Sequence, residues 1–144
     1  MIDRRRFIAL SCLFACDPEP AVLTLSVVGA RDQNPSPDGN ATAVAVRLFQ
    51  LGGTAKFERA DVFALTEHEQ QTLGTDDLGS EEFVIRPGEI RVIKRDLKPG
   101  AQFIGTAVMF RDIDRAQWRG MAPVAANGPS RHTLTVRALS ATLA

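Results

Sequence analysis

Apolar and polar residues alternate in short runs along most of this chain. Leu23, Leu25 and Val27 alternate with Thr24 and Ser26, the period-2 pattern of a half-buried strand. The same period returns from Ala43 to Leu51, with Val44, Val46 and Leu48 on one face and Arg47 and Phe49 on the other. Further strands are predicted at Glu82 to Arg86, Ile90 to Leu97, Gln102 to Phe110, around Trp118 to Val124, and from His132 to Leu139. Gly52-Gly53, Pro87-Gly88 and Pro99-Gly100 punctuate them, each a ready turn. The period changes only between Glu58 and Leu73. There Val62, Phe63 and Leu65, followed by Glu67 to Gln71, predict one or two short helices, with Thr66 as N-cap and Glu69 at the capping-box position. Short strands at regular turn spacing make the fold class all-β: a β-sandwich of about seven strands with a short helical insertion.

One connection departs from this economy. Arg31 to Thr42 carries Asn34-Pro35, Ser36-Pro37 and Asp38-Gly39-Asn40, the densest turn cluster in the sequence. It contributes little to a core, yet its prolines limit its freedom and lower the entropy cost of docking. Loops of this kind on rigid scaffolds often carry function.

The first sixteen residues follow neither period. Arg4, Arg5 and Arg6 precede a nine-residue apolar stretch from Phe7 to Ala15, and Cys16 follows. A basic n-region and an apolar core of that length fit a secretory signal, and the core is far below the roughly 20 residues of a spanning helix. Ala15 is small enough for a signal peptidase to reach the bond before Cys16, whose thiol can take a diacylglyceryl group. Residues 1–15 are therefore read as a lipoprotein signal peptide, 16–20 as lipid anchor and Pro-containing spacer, and 21–144 as the β-sandwich domain. Arg4-Arg5-Arg6-Phe7-Ile8 also resembles a twin-arginine export signal, alongside general export as the other route.

Composition narrows the possibilities. The 17 basic and 17 acidic residues become 14 and 16 once residues 1–15 are removed, so no strongly basic face remains for nucleic acid. Of two cysteines, Cys12 leaves with the signal and Cys16 is modified, which excludes disulfides and cysteine metal sites from the folded domain. His68 lies between Glu67 and Glu69, but a helical metal pair needs its second ligand at i+3 or i+4, and His132 is remote. Asp76-Asp77 and Asp112 with Asp114 read as turn and cap residues more readily than as catalytic carboxylates, and no nucleophile elbow or phosphate loop is present. Trp118 beside Arg119 fits an interface anchor, and fits a core aromatic better.

The order of local motifs resembles the lipoprotein family of the type VI secretion membrane complex, the TssJ, SciN or VasD family. The matching pieces are Asn34-Pro35 with Gly39, Val46 to Leu51, Phe57 with Ala60 to Leu65, Leu73 to Asp76, Pro87-Gly88-Glu89, Ile104 to Arg111, and Trp118-Arg119. The resemblance implies a transthyretin-like sandwich, not an enzyme, without metal, cofactor or small-molecule substrate. It implies a lipid anchor at Cys16 in the outer membrane, facing the periplasm, and a partner in the C-terminal periplasmic region of the TssM (IcmF-like) inner-membrane subunit. Carried onto this chain, the partner-binding loop is Gln33, Asn34, Pro35, Ser36, Pro37, Asp38, Gly39 and Asn40. Three positions depart from the family pattern. Asp17 directly after the cysteine favours inner-membrane retention in enteric bacteria, Ala43 stands where proline is frequent, and Phe49 where tyrosine is common. The competing expectations are a periplasmic ligand-binding or carrier sandwich, which requires an apolar pocket, and a hydrolase using Asp112 or Asp114.

Overall fold

The computed structural model describes residues 19–144, so the expected signal peptide, Cys16 and Asp17 lie outside the described residues. Eight strands form two four-stranded sheets. They are β1 (Val22–Gly29), β2 (Val44–Leu51), β3 (Asp77–Ile85), β4 (Ile90–Asp96), β5 (Phe103–Val108), β6 (Arg119–Pro123), β7 (Pro129–Arg137) and β8 (Ser140–Leu143). One sheet has the order β4-β1-β7-β8 and the other β3-β2-β5-β6. All pairings are antiparallel except β1 with β7, which run parallel with Leu25 opposite His132 and Val27 opposite Leu134.

The alternation read from sequence is what assembles the core. Leu23, Leu25 and Val27 of β1 point inward with Leu134 and Val136 of β7, and meet Val44, Val46 and Leu48 of β2, Ile85 and Ile104 from the other sheet. Each is at most 3% exposed, so the space between the sheets is filled. Burying side chains of this size contributes about 1.5–3 kcal/mol each. The grooves in the surface lie at turns and strand edges, which leaves a carrier function no enclosed space among these packed residues.

A second apolar layer lies on the outer face of the β3-β2-β5-β6 sheet. Three short helices, α1 (Ala55–Arg59), α2 (Val62–Glu67) and α3 (Glu69–Leu73), cover Phe49 and Leu51 with Phe57, Leu65 and Leu73. Phe49 and Phe57 meet edge-to-face with centroids 5.3 Å apart. Phe57 can sit so low because β5 has Gly105 beneath it: a Cβ there would lie 2.7–3.0 Å from the ring. Phe49 is thus a core residue of this second layer, although it shares a strand face with Arg47.

Arg119 fastens the insertion. Its guanidinium donates to the carbonyl oxygens of Phe57 and Ala60 at the end of α1, the latter at 2.6 Å, and lies 4.4 Å from the centroid of Trp118. Burial pulls its pKa below the ordinary arginine value, partly offset by the charges of Glu58 and Asp61. On the other flank Glu69 accepts from the Ser80 hydroxyl and pairs with Arg47 at 3.1 Å.

Three expectations change. The chain makes eight strands and not about seven, because Ser140–Leu143 returns along β7 after a two-residue turn at Ala138 and Leu139. β3 begins at Asp77 and not at Glu82, pairing with β2 across an irregularity between Phe49 and Leu51. The side-chain N-cap of the insertion is Asp61, which accepts from the Ala64 amide at 2.7 Å, while Thr66 lies inside α2 and its hydroxyl donates back to the Val62 carbonyl.

Candidate functional site

The loop between β1 and β2 is built on two buried posts. Gln33 is fully buried, and its amide nitrogen donates to the carbonyl oxygens of Ile85 at 2.9 Å and Thr42 at 3.1 Å. It fits because β1 ends in Gly29: a Cβ there would stand 2.6 Å from Gln33 Oε1 and 2.5 Å from the Arg86 carbonyl. Asn34 is 2% exposed and holds φ at 46°, a left-handed conformation that asparagine tolerates better than most residues. Its Nδ2 donates to Thr42 Oγ1 at 2.9 Å and the Ala43 carbonyl at 3.0 Å, while its Oδ1 accepts from the Arg111 amide at 2.8 Å. Its own backbone N–H donates to the Ala138 carbonyl at 2.8 Å. One side chain thereby ties together the loop, the β5–β6 connection and the β7–β8 turn.

Between these posts the chain projects outward. The Ser36 amide donates to the Asn40 carbonyl and the Gly39 amide to the Ser36 carbonyl, both at 2.8 Å, closing the tip on itself. Pro37, Asp38, Gly39 and Asn40 are exposed, and Pro35 and Ser36 half-buried. Beside the tip runs an open groove of about 500 Å³ lined by Pro35, Ser36, Pro37, Arg111, Asp112, Arg115 and Leu139. Apolar proline and leucine faces stand there next to exposed arginines, a combination suited to a protein surface carrying apolar and acidic groups. Arg115 and Asp112 pair at 3.7 Å while both remain solvated, a contact worth little energy.

The structure divides the eight loop residues that the sequence singled out. Gln33 and Asn34 face inward and position the loop, whereas Pro35 to Asn40 present its surface. Arg111, Arg115 and Leu139 join that surface from elsewhere in the chain. No local signal in the sequence marks them, since fold topology alone brings the β5–β6 connection and the β7–β8 turn to the same end as the first loop.

The other candidates have structural roles. Asp77 Oδ1 accepts from the Gly79 amide at 2.9 Å, shaping the start of β3. Asp112 and Asp114 lie in and beside the 3₁₀ turn Ile113–Arg115. His68 is exposed and edge-on to Phe63, and His132 Nε2 lies 2.7 Å from the Pro123 carbonyl. Among the described residues no group of three or more His, Cys, Asp or Glu side chains is placed to hold a metal. Trp118 is half-buried and packs against both apolar layers, with Arg119 across its face.

The tip and the start of the described chain lie at opposite ends of the sandwich. β1 leaves Val22 at one end and delivers the chain to the loop at the other, a path of about 25 Å at roughly 3.3 Å per residue.

Comparison with known proteins gives concordant matches. A family model described as type VI secretion lipoprotein (VasD, EvfM, TssJ) matches residues 21–139. The fold superposes on the T6SS lipoprotein TssJ1 from Pseudomonas aeruginosa with a TM-score of 0.83 and 36% identity, covering 87% of this chain and 95% of that one. It superposes on a chain of a structure titled type VI membrane complex with a TM-score of 0.77 and 26% identity, covering 88% and 99%. A third match, in a structure titled T6SS protein TssM C-terminal domain (869-1107) from EAEC, has a TM-score of 0.73 and 25% identity and covers 86% and 98%. Among curated proteins, Protein TOC75-3, chloroplastic, from Arabidopsis thaliana is 31% identical over 101 residues, which span 67% of this chain and 11% of that protein.

Proposed function

This chain belongs to the type VI secretion lipoprotein family, a structural and non-enzymatic component of an envelope-spanning secretion system, and from that premise we propose that it docks the TssM-type inner-membrane subunit through the Pro35 to Asn40 tip. Cys16 is the lipid anchor in this reading, and the periplasmic C-terminal region of TssM is the partner. Gln33 and Asn34 hold the loop and do not touch the partner. Arg111, Arg115 and Leu139 widen the contact.

One observation carries the reading: an exposed, proline-stiffened tip stands on a buried hydrogen-bonded base, at the end of the sandwich farthest from the lipid-bearing terminus. A pre-formed loop docks with less ordering cost than a free one. The third structural match supports the choice of partner. That matched chain is about the size of this domain, smaller than the span 869–1107 named in the structure's title, so a chain of this fold accompanies the TssM domain there.

The anchor is proposed for the outer membrane on family grounds, with Asp17 as the residue that would redirect it to the inner one. Replacing Pro35 to Asn40 by a Gly-Ser segment of equal length is expected to abolish capture of the cognate TssM C-terminal region while the melting transition persists. Unchanged capture would remove the loop from the interface. A Cys16→Ser variant is expected to lose radioactive palmitate incorporation, and retained label would refute the anchor.

A further inference from the structure

The end of the sandwich opposite the partner loop carries its own information about what it faces. Two turn tips are exposed there, Lys98-Pro99-Gly100 between β4 and β5, and Ala125-Ala126-Asn127 between β6 and β7. The incoming chain is pinned between them. The Gly128 amide donates to the Glu19 carbonyl at 3.2 Å, the Val22 amide to the Gly128 carbonyl at 3.1 Å, and the Leu97 amide to the Ala21 carbonyl at 2.9 Å. The domain therefore takes hold of its leader as early as Glu19.

Only Asp17 and Pro18 separate Glu19 from Cys16. Three steps of at most about 3.8 Å keep the Glu19 backbone within about 11 Å of an acylated cysteine, whatever conformation those residues adopt. A head-group layer is comparably deep, since it accounts for the difference between a bilayer of about 40–45 Å and its core of about 30 Å. We infer that the Lys98–Gly100 and Ala125–Asn127 turns form a lipid-facing surface that rests on the head groups of the membrane holding Cys16, so that the partner loop is presented away from it. The inference rests on the lipid-anchor reading and adds the orientation.

The chemistry of the two tips agrees with that occupant. They are built of small residues, proline and asparagine, with Lys98 as their charged side chain, a cation that can approach lipid phosphates. The acidic groups at this end, Asp76 and Asp96, stand at strand ends and not on the tips, and Glu19 belongs to the tether itself. The neutral tips cost little to desolvate, so contact is imposed by the short tether and not by strong affinity.

The mature chain has no cysteine besides Cys16, so single reporters can be placed cleanly. Full-length lipidated protein carrying Ala126→Cys, Pro99→Cys, Val92→Cys or Asp38→Cys, labelled with NBD, would be reconstituted in phosphatidylethanolamine and phosphatidylglycerol vesicles containing a head-group quencher lipid. Acylation of Cys16 is verified by mass spectrometry in each sample. Loss of fluorescence at positions 126 and 99, with none at 38 and little at 92, is expected. Equal loss at 38 or 92 would mean that the domain lies on its side and would overturn the inference. Acylated protein without loss at 126 and 99 would overturn it as well, leaving the anchor reading intact. Absence of the acyl mass would instead refute the anchor reading itself, and the orientation with it. Inserting a flexible Gly-Ser linker of about ten residues between Pro18 and Glu19 is expected to erase the loss at 126 and 99. Its persistence would contradict the tether argument.

Discussion

Replacing Asn34 tests how the docking loop is held. Asn34→Ala removes three side-chain hydrogen bonds, to Thr42 Oγ1, to the Ala43 carbonyl and from the Arg111 amide. At about 1 kcal/mol net for each, their loss costs about 3 kcal/mol. The backbone at this position sits at φ 46°, where alanine is strained and glycine is not, which adds about 1 kcal/mol. Asn34→Ala is therefore expected to destabilise the domain by about 4 kcal/mol and Asn34→Gly by about 3 kcal/mol, out of a total of roughly 5–15 kcal/mol for a domain of this kind. Urea unfolding followed by the fluorescence of Trp118, the one tryptophan, reads both. At a temperature where Asn34→Gly remains folded, its affinity for the TssM C-terminal region is expected to fall although Asn34 does not touch the partner. Loss of less than about 1 kcal/mol in Asn34→Ala would refute the buried-post account. Equal losses in the two variants would refute the backbone part of it.

Three further outcomes check the architecture around the loop. Gly105→Ala forces a methyl against the Phe57 ring and is expected to cost about 1–3 kcal/mol, and the cost should shrink in a Phe57→Leu background; additive losses in the double-mutant cycle would contradict the close approach. Arg119→Ala should loosen the insertion by leaving the Phe57 and Ala60 carbonyls unpaired, costing about 2–4 kcal/mol and altering Trp118 emission, and Arg119→Lys should recover little because one ammonium cannot both bridge two carbonyls and stack; full recovery in urea melts would show that charge alone suffices. Burial, then the neighbouring Asp77, raises the Glu69 carboxyl above the ordinary 4.5 against the opposing effects of Ser80 and Arg47. The native state then holds this proton more tightly than the unfolded chain, so this contribution to stability is present at low pH and is lost as pH rises above 4.5 through the folded pKa. Glu69→Gln is expected to flatten that decline in unfolding midpoints, and an unchanged pH profile would remove Glu69 as its source.

What the sequence made legible is what period and punctuation can carry. The inward faces of β1 and β2 follow from Leu23, Leu25, Val27 and Val44, Val46, Leu48, and Pro87-Gly88 and Pro99-Gly100 stand at the turns that bound β4. β8 escaped because Ser140 to Leu143 is too short to show a period before the sequence ends, and it forms only by returning along β7. The first half of β3 escaped because Leu78-Gly79-Ser80 has little side-chain signal, and pairing with β2 decides its state. Phe49 gave no sign of its environment, because an outward strand residue becomes buried only when the helical insertion folds over it. Gln33 and Asn34 were visible as members of the important loop but not as its foundation. A polar residue next to proline reads as surface until its donors are seen meeting the Ile85, Thr42 and Ala43 carbonyls.

These parts describe a rigid adaptor with two ends. The parallel pairing of β1 with β7 makes the sandwich stiff along its length, the short leader fixes one end, and the other displays a closed proline-rich tip. Its central claim concerns that tip, and isothermal titration of the mature domain with the TssM C-terminal region from the same cell tests it most directly. Saturable binding that disappears when Pro35 to Asn40 is replaced by a Gly-Ser segment of equal length is the predicted result. Absence of binding by the folded domain, or binding unaffected by the replacement, would contradict it.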